Sequence, residues 1–343
     1  MSLELMLAAT ILISLIFYVL TAGADFGAGV WTLFAAGERS RRQHQALIDR
    51  AIAPIWEANH VWLILVVTIL FAAFPKAFAL ISTTLHIPLT LMLVGIVLRG
   101  SAFAFRTHDV EAHRNQNDPA QVFWMRVFGG SSVLTPLMLG LTIGTIAAGH
   151  LSMKPQSFYG SYVQPWLGPF PMTVGVFALV LFMYLAVVYL LLETSDATLQ
   201  EDLRRRSLVT WLVVTVVGLV VFIASKRGAP EIYDGLVHAI AGQLTLLATF
   251  AASLASGISL LRRWYAAARV CTAFQVILIL LGWAWSQYPY LVVPDLTVSD
   301  AAAPAPILEL LLWSLVIGAL LLFPSLYYLY RIFKAHTFTT PDS

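Results

Sequence analysis

The sequence predicts an all-α, polytopic integral membrane protein, a single bundle of about nine transmembrane helices within residues 1–343. Of the residues, 59% are hydrophobic and only 11% are charged, whereas soluble domains carry about 25% charged residues. Apolar runs of about 20 residues, the length that crosses a bilayer, recur almost without a break. A formal net charge of +2 is too small to indicate a nucleic-acid partner. We therefore expect the lipid bilayer to surround the chain.

Apolar runs bounded by charged, proline or polar clusters define the predicted helices. The first run, residues 3–36, is too long for a signal-peptide core and has no basic leader, so we expect a retained first helix. The triplet Phe74-Pro75-Lys76 predicts a tight turn, and the proline-rich segment 286–306 predicts the longest loop. The predicted helices are residues 5–35, 51–73, 77–105, 124–150, 168–193, 206–225, 236–261, 265–287 and 306–334.

The basic residues predict the orientation of the bundle. Cytoplasmic loops of membrane proteins carry an excess of Lys and Arg, and nine helices place the two termini on opposite sides. Alternate loops divide the 20 Lys and Arg residues very unevenly, with Arg99 left inside the third helix. One side has Arg39, Arg41, Arg42, Arg50, Arg106, Arg114, Arg126, Arg204, Arg205, Arg206, Arg262, Arg263, Arg269, Arg331 and Lys334, and the other has Lys76, Lys154, Lys226 and Arg227. This predicts an outside N-terminus and a cytoplasmic C-terminus.

The first three predicted helices contain ionisable residues at membrane depth. Asp25 lies in Gly23-Ala24-Asp25-Phe26-Gly27-Ala28-Gly29, where small residues allow another helix to approach closely. Glu57 and His60 are three residues apart and share a helix face, and Arg99 lies in the third helix. With a rise of about 1.5 Å per residue, these four residues fall in the cytoplasmic half. Such groups are costly in lipid, so we expect them to face the bundle interior, where they pair or titrate.

Two interpretations of this group stay open. Two carboxyls and one guanidinium do not balance in charge unless one carboxyl is protonated or His60 is cationic, so one site is left to titrate. In the functional interpretation, Asp25, Glu57 and His60 form a proton entry route from the cytoplasm. In the structural interpretation, Asp25 pairs with Arg99 to lock the helices, and Glu57 lines a water pocket. Both can hold. Two neighbours are interpreted as structural, Asn59 in an interhelical hydrogen bond and Trp56 in an interfacial aromatic belt.

The sequence predicts no haem, metal or complete catalytic centre in this chain. The histidines at membrane depth, His60, His86 and His238, lie at different depths, and there is no C-x-x-C-H attachment motif. The single Cys271 excludes an intrachain disulfide and a thiolate-based iron–sulfur or zinc site. Two other classes remain as alternatives. One is an ion-coupled secondary transporter, for which only His86-Ile87-Pro88 hints at a broken helix, and the other is a membrane cytochrome with its own haem.

Four segments resemble subunit II of cytochrome bd-type quinol oxidases. They are residues 23–31 (G-A-D-F-G-A-G-V-W), 51–64 (A-I-A-P-I-W-E-A-N-H-V-W-L-I), 98–106 (L-R-G-S-A-F-A-F-R) and 288–294 (Y-P-Y-L-V-V-P). Their order and spacing match from end to end. The W-E-A-N-H-V-W block beside the G-A-D-F-G block is the specific signal, and the last segment is supportive.

The resemblance implies a nine-helix subunit of the bacterial cytoplasmic (inner) membrane that pairs with a subunit I of homologous fold. Subunit I would carry haems b558, b595 and d and the quinol site, where quinol supplies electrons that reduce dioxygen to water with protons drawn from the cytoplasm. The resemblance implies no haem in subunit II. It leaves open which quinone is used, which face meets subunit I, and whether small single-helix subunits or a structural quinone bind.

The resemblance also implies roles for individual residues. Asp25 and Glu57 match the acidic residues that are proposed to belong to a proton channel toward the haems. The neighbours in the same motifs are Trp56, Asn59, His60 and Arg99. Some branches of the family have aspartate at position 57 and glutamine at position 60, and the histidine version resembles the cyanide-insensitive branch. Since Ala22 stands where some branches have a second acidic residue, a continuous chain of carboxylates on the first helix is not predicted.

Overall fold

The long apolar runs of the sequence form helices because a bilayer leaves backbone polar groups no water to bond, and a helix bonds them internally. The computed structural model describes residues 2–34, 46–48, 56–112, 119–151 and 157–335. In chain order the elements are α1 (Leu3–Trp31), a 3₁₀ turn (Thr32–Phe34), α2 (Trp56–Ala73), α3 (Pro75–Thr84), α4 (His86–Ala112), α5 (Pro119–Ala148), α6 (Phe158–Tyr162), α7 (Pro169–Leu190), α8 (Ala197–Gly228), α9 (Pro230–Val237), α10 (Ile240–Leu261), α11 (Tyr265–Gln287), β1 (Tyr290–Val292), β2 (Leu296–Thr297), α12 (Val298–Ala301) and α13 (Ala305–Ala335).

The predicted helical membrane fold is confirmed. Among the described residues, eight helices are long and apolar enough to cross a membrane. A ninth candidate span results if the bent pair of α2 and α3 counts as one, although the two helices meet at an angle of 117°. The predicted turn at Phe74-Pro75-Lys76 lies at this bend, since α2 ends at Ala73 and α3 begins at Pro75.

The third predicted helix, residues 77–105, is not one continuous helix in the structure. The structure divides it into α3 and α4, which are separated at Leu85. Pro88 lies in the first turn of α4, where its missing N–H costs nothing. In a continuous helix the same proline would leave the carbonyl of Thr84 without its bond and clash with it. The local break around His86-Ile87-Pro88 therefore follows from proline chemistry.

Two later helices also differ from the prediction. Helix α8 begins nine residues before the predicted position 206. Asp196 caps this start, because its side chain accepts hydrogen bonds from the backbone N–H groups of Thr198 at 2.8 Å and Leu199 at 3.2 Å. The predicted helix 236–261 is divided into α9 and α10, which are separated at residues 238 and 239. At the start of α8, the hydrogen bonds to Asp196 extend the helix through a charged stretch whose composition is typical of a loop.

Helix α1 lies against α2, α5 and α7 and carries much of the core. The glycines around Asp25 allow this packing, as predicted. A Cβ at Gly27 would collide with the backbone carbonyl of Phe182 on α7, and a Cβ at Gly29 would collide with the side chain of Ser132 on α5. Small residues let helix backbones approach closely in membranes. The position of the Asp25 carboxyl in the bundle therefore depends on glycines on either side of it.

The proline-rich segment predicted as a loop contains ordered structure. Strands β1 and β2 pair antiparallel, and α12 follows directly. The segment is tied to the bend between α2 and α3, because the N–H of Ala303 donates to the carbonyl of Ala73 at 2.8 Å and Lys76 Nζ donates to the carbonyl of Asp300 at 2.9 Å. Strands of two or three residues are too short to produce an alternating pattern in a sequence.

Candidate functional site

A buried ion pair joins α1 to α4. Arg99 Nη2 lies 2.5 Å from Asp25 Oδ1 and 3.2 Å from the backbone carbonyl oxygen of Asp25. Both side chains are almost fully enclosed, with 3% of Asp25 and 2% of Arg99 exposed. These are the two residues that the structural interpretation expects to pair. Since removing either charge from water costs several kcal/mol, the surroundings must hold the pair in a good geometry.

Helix α5 supplies part of that geometry. Arg99 Nε donates a hydrogen bond to Ser132 Oγ at 3.1 Å, and Ser132 Oγ donates to the carbonyl of Phe128 at 2.7 Å. The guanidinium carbon lies 4.8 Å from the ring centroid of Phe26 and 4.7 Å from that of Phe128. Such contacts with aromatic faces stabilise a desolvated cation by about 2 kcal/mol. Arg99 therefore has charged, hydroxyl and aromatic neighbours from two other helices.

Several buried polar atoms on α1 and α2 have no hydrogen-bond partner among the described residues. They are Asp25 Oδ2, the hydroxyl of Tyr18, and both the Oδ1 and Nδ2 atoms of Asn59. Tyr18 is 0% and Asn59 is 1% exposed. Buried polar groups are normally bonded to protein or to ordered water, and water occupies polar cavities that offer two to four partners. The contact between α1 and α2 therefore has the chemistry of a hydrated interior.

His60 on α2 lies between two aromatic residues of α1. The centroid of its ring is 6.4 Å from that of Tyr18 and 6.3 Å from that of Phe26. It also interacts electrostatically with Asp25. The structure therefore brings together three of the predicted residues, Asp25, His60 and Arg99, and adds Tyr18 to them.

The remaining predicted residues have different outcomes. Asn59 is buried, but the expected interhelical hydrogen bond is not formed within the described part of the chain. The side chains of Trp56 and Glu57 lie outside the described residues, although both positions belong to α2. His86 is not one of the residues brought together at the ion pair. Its Nδ1 lies 2.9 Å from the carbonyl oxygen of Thr83.

Sequence reasoning missed Ser132 and Tyr18. Tyr18 could have been found from spacing, because residues seven apart lie on one face of a helix and Tyr18 precedes Asp25 by seven. The sequence around Ser132 contains no comparable spacing to a charged residue. A serine in a transmembrane helix most often bonds to its own backbone, and only the packing of α5 against α4 places this one beside Arg99.

A separate cavity of about 590 Å³ lies among α5, α7, α8, α10 and α11. Its walls are mostly apolar and include Phe177, Phe182, Phe250, Gln275 and Trp283. No ionisable side chain lines it among the residues described. The cavity therefore does not continue the charged site between α1 and α4.

Basic residues assigned to one side by the sequence meet at one end of the bundle. Three contacts show this. The guanidinium of Arg206 at the start of α8 lies 5.2 Å from the ring of Trp31 at the end of α1. Arg263 Nη2 lies 3.3 Å from Glu201 Oε2, and Arg269 Nη1 lies 3.6 Å from Glu193 Oε1. The ends of α1, α8, α10 and α11 therefore share one basic face.

The fold and the site define a polytopic helical membrane protein with a buried arginine–carboxylate pair beside unpartnered polar atoms. The family described as cytochrome bd terminal oxidase subunit II matches residues 3–333. The chain belongs to this family, and it is a multi-pass protein of the bacterial inner membrane. This agrees with the resemblance found in the sequence and not with an ion-coupled secondary transporter.

Individual relatives support the assignment. The "Putative cytochrome bd menaquinol oxidase subunit II" of Bacillus subtilis (strain 168) is 21% identical over 97% of this chain and 96% of its own length. The cytochrome bd-I ubiquinol oxidase subunit 2 of Escherichia coli (strain K12) is 29% identical over 61% of this chain, a match that spans 52% of that protein. A chain of the bd oxidase from Geobacillus thermodenitrificans has the same fold, with a TM-score of 0.77, 23% identity, and coverage of 97% of this chain and 99% of that one.

Proposed function

We propose that the chain is the non-haem subunit of a quinol oxidase and provides its partner with a proton-uptake path from the cytoplasm. Quinol oxidation and the reduction of dioxygen to water take place in subunit I, which carries haems b558, b595 and d. One observation supports this role for the chain most directly. Asp25 is buried and uses one carboxylate oxygen for Arg99, while its other oxygen faces buried space without a partner in the described residues.

The charges of the site suit proton transfer. Arg99 is always cationic, and it holds the carboxylate of Asp25 by Oδ1. Oδ2 therefore stays available to accept a hydrogen bond from water or from a protonated neighbour. Glu57 and His60 are ionisable residues three positions apart in the first turns of α2. Protons would enter from that face, pass Glu57 and His60, and reach the unpartnered oxygen of Asp25.

The orientation of the bundle follows from the same proposal. The basic face formed by the ends of α1, α8, α10 and α11 would lie in the cytoplasm, and the β1–β2 hairpin would lie outside. In a Cys271→Ser background, we expect a cysteine introduced by Asp295→Cys to react with a membrane-impermeant maleimide in intact spheroplasts. Arg205→Cys, at a position 76% exposed on the basic face, should react only after the membrane is opened. The reverse labelling pattern would contradict the orientation and the direction of proton entry.

The proton path is tested by Glu57→Gln in the assembled oxidase. The amide keeps the shape of the side chain but does not carry a proton, so quinol-dependent oxygen uptake per haem should fall about tenfold or more, as expected for the loss of a proton-transfer group. Haem content should stay constant. Glu309→Gln is the matched control, because this carboxylate is exposed near the start of α13 and is not one of the residues of the site. Native turnover in Glu57→Gln would leave only the structural role for the carboxyl groups.

A further inference from the structure

We propose that the hydroxyl of Tyr18 is the next proton-carrying group after Asp25 and His60. Through it, the proton path continues from the cytoplasmic half to the middle of the bundle. This inference rests on the proposed proton path and extends it. Tyr18 lies halfway along α1, which begins at Leu3 and ends at Trp31. At about 1.5 Å per residue it stands roughly 20 Å from either end of the helix.

The burial of Tyr18 is the first argument. The residue is 0% exposed, yet its hydroxyl has no hydrogen-bond partner among the described residues. A buried hydroxyl that makes no hydrogen bond destabilises the fold, whereas a phenylalanine would fill the same ring volume without that cost. Tyrosine at this position is therefore explained by a partner such as water rather than by packing.

The neighbours of Tyr18 are the second argument. Its ring lies 6.4 Å from the ring of His60 between centroids, and it interacts electrostatically with both Asp25 and Arg99. Asn59, the residue before His60, is also buried with both polar atoms of its amide unpartnered in the described chain. Tyr18, Asp25 and His60 therefore place polar groups at the α1–α2 contact, where ordered water can bind.

The rest of this face of α1 limits where the route continues. Ala22, between Tyr18 and Asp25, is buried and has no polar side-chain atom. One turn beyond Tyr18, Ser14 is also buried, but its hydroxyl donates to the carbonyl of Thr10 at 2.7 Å. Within the described part of α1, Tyr18 is therefore the residue of this face whose hydroxyl does not already donate its proton in a hydrogen bond.

The transfer at Tyr18 needs no ionised tyrosine. A proton that arrives from the side of His60 and Asp25 binds to the hydroxyl oxygen while the original hydroxyl proton leaves to an acceptor on the far side. The side chain is neutral before and after the step, and rotation of the O–H bond restores the starting state. Charge and proton number balance when an ordered water on the far side accepts the departing proton, and no reactant other than water is required.

Tyr18→Phe in the purified oxidase complex tests the inference. We expect oxygen uptake per haem to fall about tenfold, with the rate of proton uptake falling in parallel. The ratio of rates in H₂O and D₂O should rise, because proton transfer becomes the slow step. Expressing rates per haem removes any effect of reduced assembly.

Tyr184→Phe is the matched control. Tyr184 is also 0% exposed, but its hydroxyl lies 2.6 Å from Ser256 Oγ and accepts a bond from Thr272 Oγ1 at 3.2 Å. Its loss should lower thermal stability and leave turnover per haem and the isotope ratio unchanged. A Tyr18→Phe complex with native turnover and isotope ratio would overturn the inference. If Glu57→Gln is slow in the same assay, the proposed proton path survives without Tyr18, and if both variants are native, the path itself fails.

Discussion

Arg99→Leu should destabilise the protein more than any other single charge removal in the described structure. The substitution leaves the carboxyl group of Asp25, 3% exposed, without its cation in the interior of the bundle. Breaking a buried ion pair by removing one partner costs about 3–5 kcal/mol. The variant should also lose the two contacts with the rings of Phe26 and Phe128. We expect a large drop in the yield of assembled complex and in its thermal unfolding midpoint in detergent.

Two further variants separate the buried pair from general effects of losing an arginine. Arg205→Leu removes a guanidinium that is 76% exposed and lies 3.5 Å from Glu201, so its effect should be within about 0.5 kcal/mol. Asp25→Leu combined with Arg99→Leu removes both buried charges and should recover much of the stability, while turnover per haem stays low. A stable Arg99→Leu protein, or a double variant no more stable than the single one, would contradict this account of the pair.

Gly27→Ala should have an effect of similar size for a different reason. A Cβ at this position would overlap the backbone carbonyl of Phe182 and press on the Cβ of Ala186. Backbone atoms of a packed helix do not move aside as a flexible side chain does, so α1 and α7 must separate. We expect a loss of about 3 kcal/mol and displacement of the neighbouring Asp25 from Arg99. Thermal unfolding and turnover per haem measure the two consequences.

Gly130→Ala is the matched control for this substitution. Gly130 also lies within a membrane-spanning helix, but a Cβ there would meet no atom within 4 Å. Its only effect should be the better helix propensity of alanine, about 1 kcal/mol at most. If the two variants unfold at the same temperature, close packing of α1 against α7 does not limit stability.

The membrane helices and their charged residues could be predicted from the sequence because both signals are local. A helix must satisfy its own backbone in lipid, so about 20 apolar residues in a row identify it without reference to other helices. The predicted helix 265–287 has the same bounds as α11. The start of α8 was missed, because a cap at Asp196 and ion pairs with Arg204 and Arg206 extend the helix into residues that are polar by composition.

The site could be predicted only in part. The structural interpretation expected Asp25 and Arg99 to pair, because a lone charge of either kind is too costly in the bundle interior. By contrast, Ser132 and Phe128 reach Arg99 only through the packing of α5 against α4. Nothing in the sequence near residue 132 distinguishes this serine from Ser131, whose hydroxyl bonds to its own helix.

The sequence by itself determined that this chain crosses a membrane many times and that its basic residues are divided between two faces, and it predicted that Asp25, Glu57, His60 and Arg99 fall in the same half of the bundle. The tertiary structure decided which atoms of that group are bonded. Arg99 is bonded to one oxygen of Asp25 and to the hydroxyl of Ser132, and it contacts two aromatic faces. Asp25 Oδ2 and the Tyr18 hydroxyl have no hydrogen-bond partner in the described chain. The physical reason is that depth depends on position along one helix, whereas bonding depends on the approach of several helices.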